Sequence, residues 1–195
     1  LTGQAAGAAT HGKFNLVTPR SRCPHCGHSI TTLENIPVVS YLWLRGKCSA
    51  CRKPIGLRYP FVEILSATLA AVTAWHFGFT AAGVAAIVLT WLLIALAFID
   101  IDHQLLPDVM VLPFLWAGLL LNLSNVFTTL PHAVIGAVAG YLSLWLVFHL
   151  FKLITGKEGM GYGDFKLLAL FGAWLGWQYL PVIILLSSLV GAIIG

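Results

Sequence analysis

Charge is what this chain has least of. Only 9% of its 195 residues are Asp, Glu, Lys or Arg, against 58% hydrophobic, and the mean hydropathy is +0.88. Soluble domains carry about 25% charged and 45–50% apolar residues. No single water-soluble core absorbs so much apolar sequence, and the bilayer is its natural solvent. Cations are missing altogether between Arg58 and Lys152. The formal net charge of +4 is therefore no argument for nucleic-acid binding, and no nucleic-acid partner is expected. A basic stretch beside membrane spans reports topology and reaches anionic lipid headgroups. An initiator methionine and a signal-peptide pattern are also lacking, since Leu1 to Gly12 is small and weakly polar. The apolar run from Pro181 continues to Gly195 at the chain end. Both ends read as cut back from a longer protein.

Two regions of opposite character follow from this distribution. Residues 1–58 are polar and basic, hold all four cysteines, and are rich in turn formers: Pro19, Pro24, Gly27, Pro37, Gly46, Pro54 and Gly56. They predict a small loop-rich domain with short strands. Residues 59–195 predict an all-α, polytopic membrane helix bundle. Apolar blocks place spans at about 61–79, 82–99, 109–127, 133–151, 166–177 and 181–195. A spanning helix needs ~20 residues, range ~17–25, which the first four satisfy. With six spans in this order, all eleven Lys and Arg residues fall on one side. The positive-inside rule makes that side cytoplasmic. Trp75 and Trp177 then stand at the opposite interface.

Cys23-Pro-His-Cys26 and Cys48-Ser-Ala-Cys51 are two CxxC pairs. Four thiolates in two such knuckles suit one tetrahedral zinc, which lets a small domain fold without a large core. Cys-Pro-His-Cys also has the form of a thiol oxidoreductase motif, but that chemistry needs one CxxC at a helix N-terminus on a βαβ scaffold. A reducing cytoplasm argues against two disulfides. His25 and His28 read as solvent-facing or as supports behind a four-cysteine site that is already full.

Only seven carboxylates are present: Glu34, Glu63, Asp100, Asp102, Asp108, Glu158 and Asp164. All four aspartates fall at predicted cytoplasmic span ends. An ionisable group at membrane depth is expensive, so each is a functional hypothesis. Asp108, after Leu106-Pro107 and before Val109, reads as an N-cap. Asp102 lies two residues from Asp100 and so on a different helical face. Asp164, in Gly161-Tyr162-Gly163-Asp164, is either a cap or a catalytic group. Two carboxylates meeting at a cleft cannot both ionise easily, and such a pair serves as base and acid on one water.

Taken together, the cysteine tetrad, Arg58-Tyr59-Pro60-Phe61-Val62-Glu63, the run from Asp100 to Asp108, and Gly161-Tyr162-Gly163-Asp164-Phe165-Lys166-Leu167 resemble the type IV prepilin peptidase family over roughly residues 14–195. The resemblance implies an aspartic endopeptidase of the GxGD type, with Asp100 and Asp164 as the catalytic pair. It implies prepilin and pseudopilin substrates, cut after a leader glycine at the cytoplasmic face of the bacterial inner membrane. It also implies methylation of the new N-terminus with S-adenosylmethionine as methyl donor. The cysteine domain, with zinc on Cys23, Cys26, Cys48 and Cys51, is then the candidate for methylation. The family's span ahead of that domain is absent from this sequence. Rival readings are a transporter with proton-carrying acids, which needs them near the midplane, and a membrane thiol oxidoreductase, which needs cysteines on the oxidising side.

Overall fold

The structure is a computed structural model, and it describes residues 23, 25–31, 34, 36, 38–157 and 161–194. The turn formers Pro19, Pro24 and Pro37, the cations Lys13, Arg20 and Arg22, and Glu158 lie outside the described residues. The described chain is all-α. Its helices are α1 (Val39–Trp43), α2 (Arg58–Phe77), α3 (Ala81–His103), α4 (Asp108–Asn122), α5 (Leu130–Thr155), α6 (Tyr162–Leu175) and α7 (Leu180–Ile194), with a 3₁₀ turn at Trp177–Tyr179. Among the described residues of the cysteine region, the short strands expected there reduce to isolated bridging, such as Lys47 with Pro54. The chain divides into two compact units, Leu1–Leu65 and Ser66–Gly195.

Among the described residues, three helices are long and apolar enough to cross a membrane: α2, α3 and α5. The third predicted span, 109–127, is shorter than expected, because α4 stops at Asn122 after 15 residues. At 1.5 Å per residue that is roughly 22 Å, against a hydrocarbon core of ~30 Å. The cause is a polar side chain. Asn122 is completely buried. Its amide nitrogen donates to the carbonyls of Ala173 (2.9 Å) and Trp174 (3.0 Å) at the end of α6. Its oxygen accepts from the backbone N–H groups of Phe127 (3.0 Å) and Thr128 (3.1 Å). One side chain thus satisfies the end of α6 and folds the chain after α4 into a turn. Buried polar groups persist where they are paired in this way.

The core of the membrane unit joins Leu89, Leu92 and Leu96 of α3, Val111 of α4, and Leu170, Ala173 and Trp174 of α6. The Trp174 indole donates to the Phe114 carbonyl at 2.8 Å. Gly118 makes room for it, since a Cβ there would overlap the indole ring. Helices α5 and α6 approach closest, where Gly136 of α5 lies against Gly172 of α6 and either Cβ would strike the other's carbonyl. Gly140, one turn along α5, faces the Leu168 carbonyl in the same way. Without a hydrophobic drive between helices in lipid, such small-residue stripes are where they pack. Many large apolar side chains elsewhere, such as Trp75, Trp116 and Leu146, are exposed. In water that would be costly; in a bilayer it is the lipid-facing surface.

Candidate active site and metal centre

Three helix ends converge on one cleft in the membrane unit. Helix α3 closes at Gln104, whose left-handed backbone (φ 49°) returns its N–H to the Asp100 carbonyl at 2.7 Å. Pro107, three residues on, prevents the helix from resuming. Helix α4 then starts at Asp108, and α6 starts at Tyr162. The cleft encloses about 680 Å³ and is lined by Asp100, Gln104, Leu106, Asp108, Gly163, Asp164 and Lys166, among others. Two helix N-termini therefore face it, and their partial positive charge favours carboxylates there.

Asp100 and Asp164 both line this cleft and are near enough to interact electrostatically. They come from opposite kinds of helix end, the last turn of α3 and the first turn of α6. Of the two glycines before Asp164, one has a steric reason. A Cβ on Gly163 would sit 2.8 Å from Leu106 Cβ, so glycine lets α6 start against the turn that joins α3 to α4. At Gly161 an added Cβ would meet only Asp164 Oδ2, at an ordinary 3.9 Å. Asp102 is exposed at the end of α3 and outside the cleft lining.

Asp108 is not the N-cap that the sequence suggests. Pro107 holds that position without a side-chain cap, and Asp108 is the first helical residue. Its carboxylate instead takes both oxygens to Lys166 Nζ, each at 2.7 Å. This pair ties the start of α4 to the first turn of α6, beside Asp164. The capping rule is local in sequence, whereas Lys166 lies far along the chain, so the sequence offered no sign of the pairing.

In the other unit, the four cysteines form one cluster. All four sulfurs lie within 4.8 Å of one another. Cys23 to Cys51 is 3.9 Å and Cys26 to Cys48 is 4.0 Å. Sulfurs at ~2.3 Å from a shared tetrahedral centre stand ~3.8 Å apart, so the tetrad has the dimensions of a zinc site. None of the four is in a disulfide. Neither CxxC pair opens a helix; α1 lies between them in sequence. The thiols also differ in acidity. Backbone N–H groups of His25 and Cys26 hold Cys23 down at about 6. At Cys26 the N–H of His28 acts in the same direction, but desolvation and the thiols of Cys51, Cys23 and Cys48 outweigh it and push that group up to about 11. Four thiols so close compete for negative charge, and a bound cation would resolve the competition.

Glu34 supports the cluster, and the sequence reading did not single it out. Its carboxylate accepts from the Thr31 N–H (2.8 Å) and hydroxyl (2.9 Å), while the Glu34 N–H donates back to the Thr31 hydroxyl at 3.4 Å. Thr-x-x-Glu is the pattern of a capping box, and that was the signal available. Hydrogen bonds from Ser49 and from Thr31 pull this carboxyl from 4.5 down to about 2, with His28 adding to the effect. Since Ser49 lies inside the second CxxC pair, Glu34 ties that knuckle to the turn at Thr31. His28 Nε2 is buried and 3.5 Å from Glu34, so His28 supports the cluster, whereas His25 is exposed.

Comparison with known proteins matches the chain in two parts. The profile of the Type IV leader peptidase family matches residues 87–195. That of the Bacterial Peptidase A24 N-terminal domain matches residues 7–77. The prepilin leader peptidase/N-methyltransferase of Pseudomonas aeruginosa is 64% identical over 182 residues, covering 93% of this chain and 63% of the relative. Its counterpart in Stutzerimonas stutzeri is 59% identical over 195 residues, covering 100% and 66%. That of Aeromonas hydrophila is 60% identical over 182 residues, covering 93% and 63%. The chain thus spans just under two thirds of the length of these relatives. No solved structure matches it.

Proposed function

The chain belongs to the type IV leader peptidase family, and from that premise we propose that it removes the basic leader from prepilins and pseudopilins and methylates the new N-terminus. The observation that carries the reading is the cleft in which Asp100 and Asp164 stand together at helix ends. Acids at helix ends suit a substrate whose apolar helix stays in the bilayer while its leader reaches the cytoplasmic face of the inner membrane. A transporter would need them near the midplane.

Asp100 and Asp164 are the catalytic dyad in this reading, and the chemistry asks one carboxylate to be ionised and the other to hold a proton. The ionised group takes a proton from water as the oxygen adds to the scissile carbonyl carbon. The protonated group gives its proton to the carbonyl oxygen. Collapse of the tetrahedral species breaks the C–N bond, and a proton passes to the leaving amine. The cysteine tetrad holds one structural zinc, which fixes the two knuckles around Glu34. The four-sulfur geometry and the absence of a helix-opening CxxC support this over thiol redox chemistry. S-adenosylmethionine is the methyl donor that the family implies, and no residue is assigned to it. The cysteine unit, residues 1–58 in the domain division proposed from the sequence, is the candidate for that second step.

The test is incubation of the purified protein with a prepilin, with mass spectrometry reading leader loss and methyl addition separately. Asp100→Asn and Asp164→Asn should each abolish cleavage, and the double variant should be no worse than either. Asp102→Asn, altering the same helix end outside the cleft, should cleave within about tenfold of the parent, ~1.4 kcal/mol in barrier. Normal cleavage by both dyad variants would end the aspartic mechanism.

A further inference from the structure

Helix α1 is built the wrong way round for a water-soluble domain. Its residues Val39, Leu42 and Trp43 follow the i, i+3, i+4 spacing of one helical face. That face is the exposed one: Val39 is 54%, Leu42 69% and Trp43 85% accessible. The opposite face packs inward. Tyr41 lies against Gly46, which leaves no room for a Cβ. Its hydroxyl donates to the Ile55 carbonyl at 3.4 Å, and its carbonyl accepts the Gly46 N–H at 2.8 Å. The hairpin that carries Cys48 and Cys51 is thereby fixed to the inner side of α1.

The height of α1 along the first spanning helix is set by a hydrogen bond. The N–H of Val38, the residue that precedes α1, donates to the Glu63 carboxylate at 2.7 Å. Glu63 lies five residues into α2, roughly 7.5 Å along its axis at 1.5 Å per residue. Interfacial helices bury their apolar face ~5–10 Å into the boundary between headgroups and acyl chains. Exposed cations follow α1 directly in Arg45, Lys47, Arg52 and Lys53. Cations near an anionic leaflet are attracted to its headgroups.

We propose that α1 is an interfacial anchor, with Val39, Leu42 and Trp43 inserted among the lipids of the leaflet and the basic residues on anionic headgroups. The occupant of this surface is lipid. The geometry that places it there is continuous with α2, which enters the same leaflet. This inference rests on α2 crossing the bilayer and is independent of the aspartic mechanism.

Tryptophan fluorescence in nanodiscs tests it, using the whole chain in phosphatidylcholine with phosphatidylglycerol. The chain holds seven tryptophans, so the signal of Trp43 is taken as the parent minus Trp43→Phe. That difference should be quenched by lipid brominated high on the acyl chain and spared by aqueous acrylamide. A Val39→Ser/Leu42→Ser variant, which keeps Trp43, should lose at least half of the lipid quenching while its metal content stays unchanged. Quenching by acrylamide alone would show that α1 faces water and would overturn the proposal. Quenching by neither would place α1 against protein, such as a second copy, and would overturn it equally. Neither failure touches cleavage by the dyad.

Discussion

The pair between Asp108 and Lys166 is the residue-scale feature with the clearest consequence. Its two 2.7 Å contacts join α4 to α6 beside Asp164, so they steady one wall of the cleft. Asn at position 108 keeps a carbonyl acceptor for the ammonium, whereas Met at position 166 leaves the Asp108 carboxylate without it. Asp108→Asn should therefore cost less than about tenfold in kcat/KM, and Lys166→Met more, with ~1.4 kcal/mol per tenfold. Steady-state kinetics on a prepilin would check the order, and a reversed order would remove the pair from the site. Glu34 makes a second prediction, with a definite sign. Its folded pKa of about 2 lies below the ordinary 4.5, so its contribution to stability is complete above 4.5. That contribution is lost as pH falls toward about 2. The gap in melting temperature between parent and Glu34→Gln should be constant above pH 4.5 and should close below it. These residues also mark what a sequence can disclose. Asp100 and Asp164 stood out because carboxylates are scarce and costly at a membrane. Lys166 read only as a topological charge, because nothing local connects it to Asp108.

At the scale of elements, α2, α3 and α5 were legible because length and hydropathy alone mark a span. The end of α4 was not. Apolar Leu123, Val126 and Phe127 lie beyond Asn122 with the polar Ser124 and Asn125 among them, and the side chain at the helix end reaches carbonyls on α6. The approach of α5 and α6 was also hidden, since Gly136 and Gly172 lie in different helices and their meeting is a tertiary fact. It makes a direct prediction. Gly172→Leu puts a side chain where the Gly136 carbonyl stands, so the helices must separate. Overpacking costs ~1–3 kcal/mol where side chains can adjust, and backbone has little freedom to do so. Gly172→Leu should lower the melting temperature in detergent, whereas Gly191→Leu, where nothing lies within 4 Å, should not. Equal effects at the two positions would show that the small-residue contact is not what joins α5 to α6.

For the whole molecule, the division into a cysteine unit and a membrane unit predicts separable losses. Metal analysis of protein never exposed to chelator should find about one zinc per chain. Cys48→Ser should impair methylation and stability more than cleavage, read from the same mass spectra. Loss of cleavage with methylation intact, in protein that stays folded, would reverse the assignment. The sequence placed this boundary near residue 58, where polar composition ends. The compact unit that holds the cysteines includes Glu63 of α2, whose carboxylate accepts the Val38 N–H. Composition marks where the solvent changes, and a hydrogen bond across the change leaves no trace in it.

The bond between Glu63 and Val38 also imposes an order in time. A chain is made from its N-terminus, and the cysteines, α1 and Glu63 have all left the ribosome once Leu65 has. Asp100 is synthesised later, and Asp164 later still. The cysteine unit can therefore close while the ribosome is still making the helices that form the cleft. On the proposed mechanism the protein is born inactive, and it gains its second carboxylate only after α3, α4 and α5 have all been made.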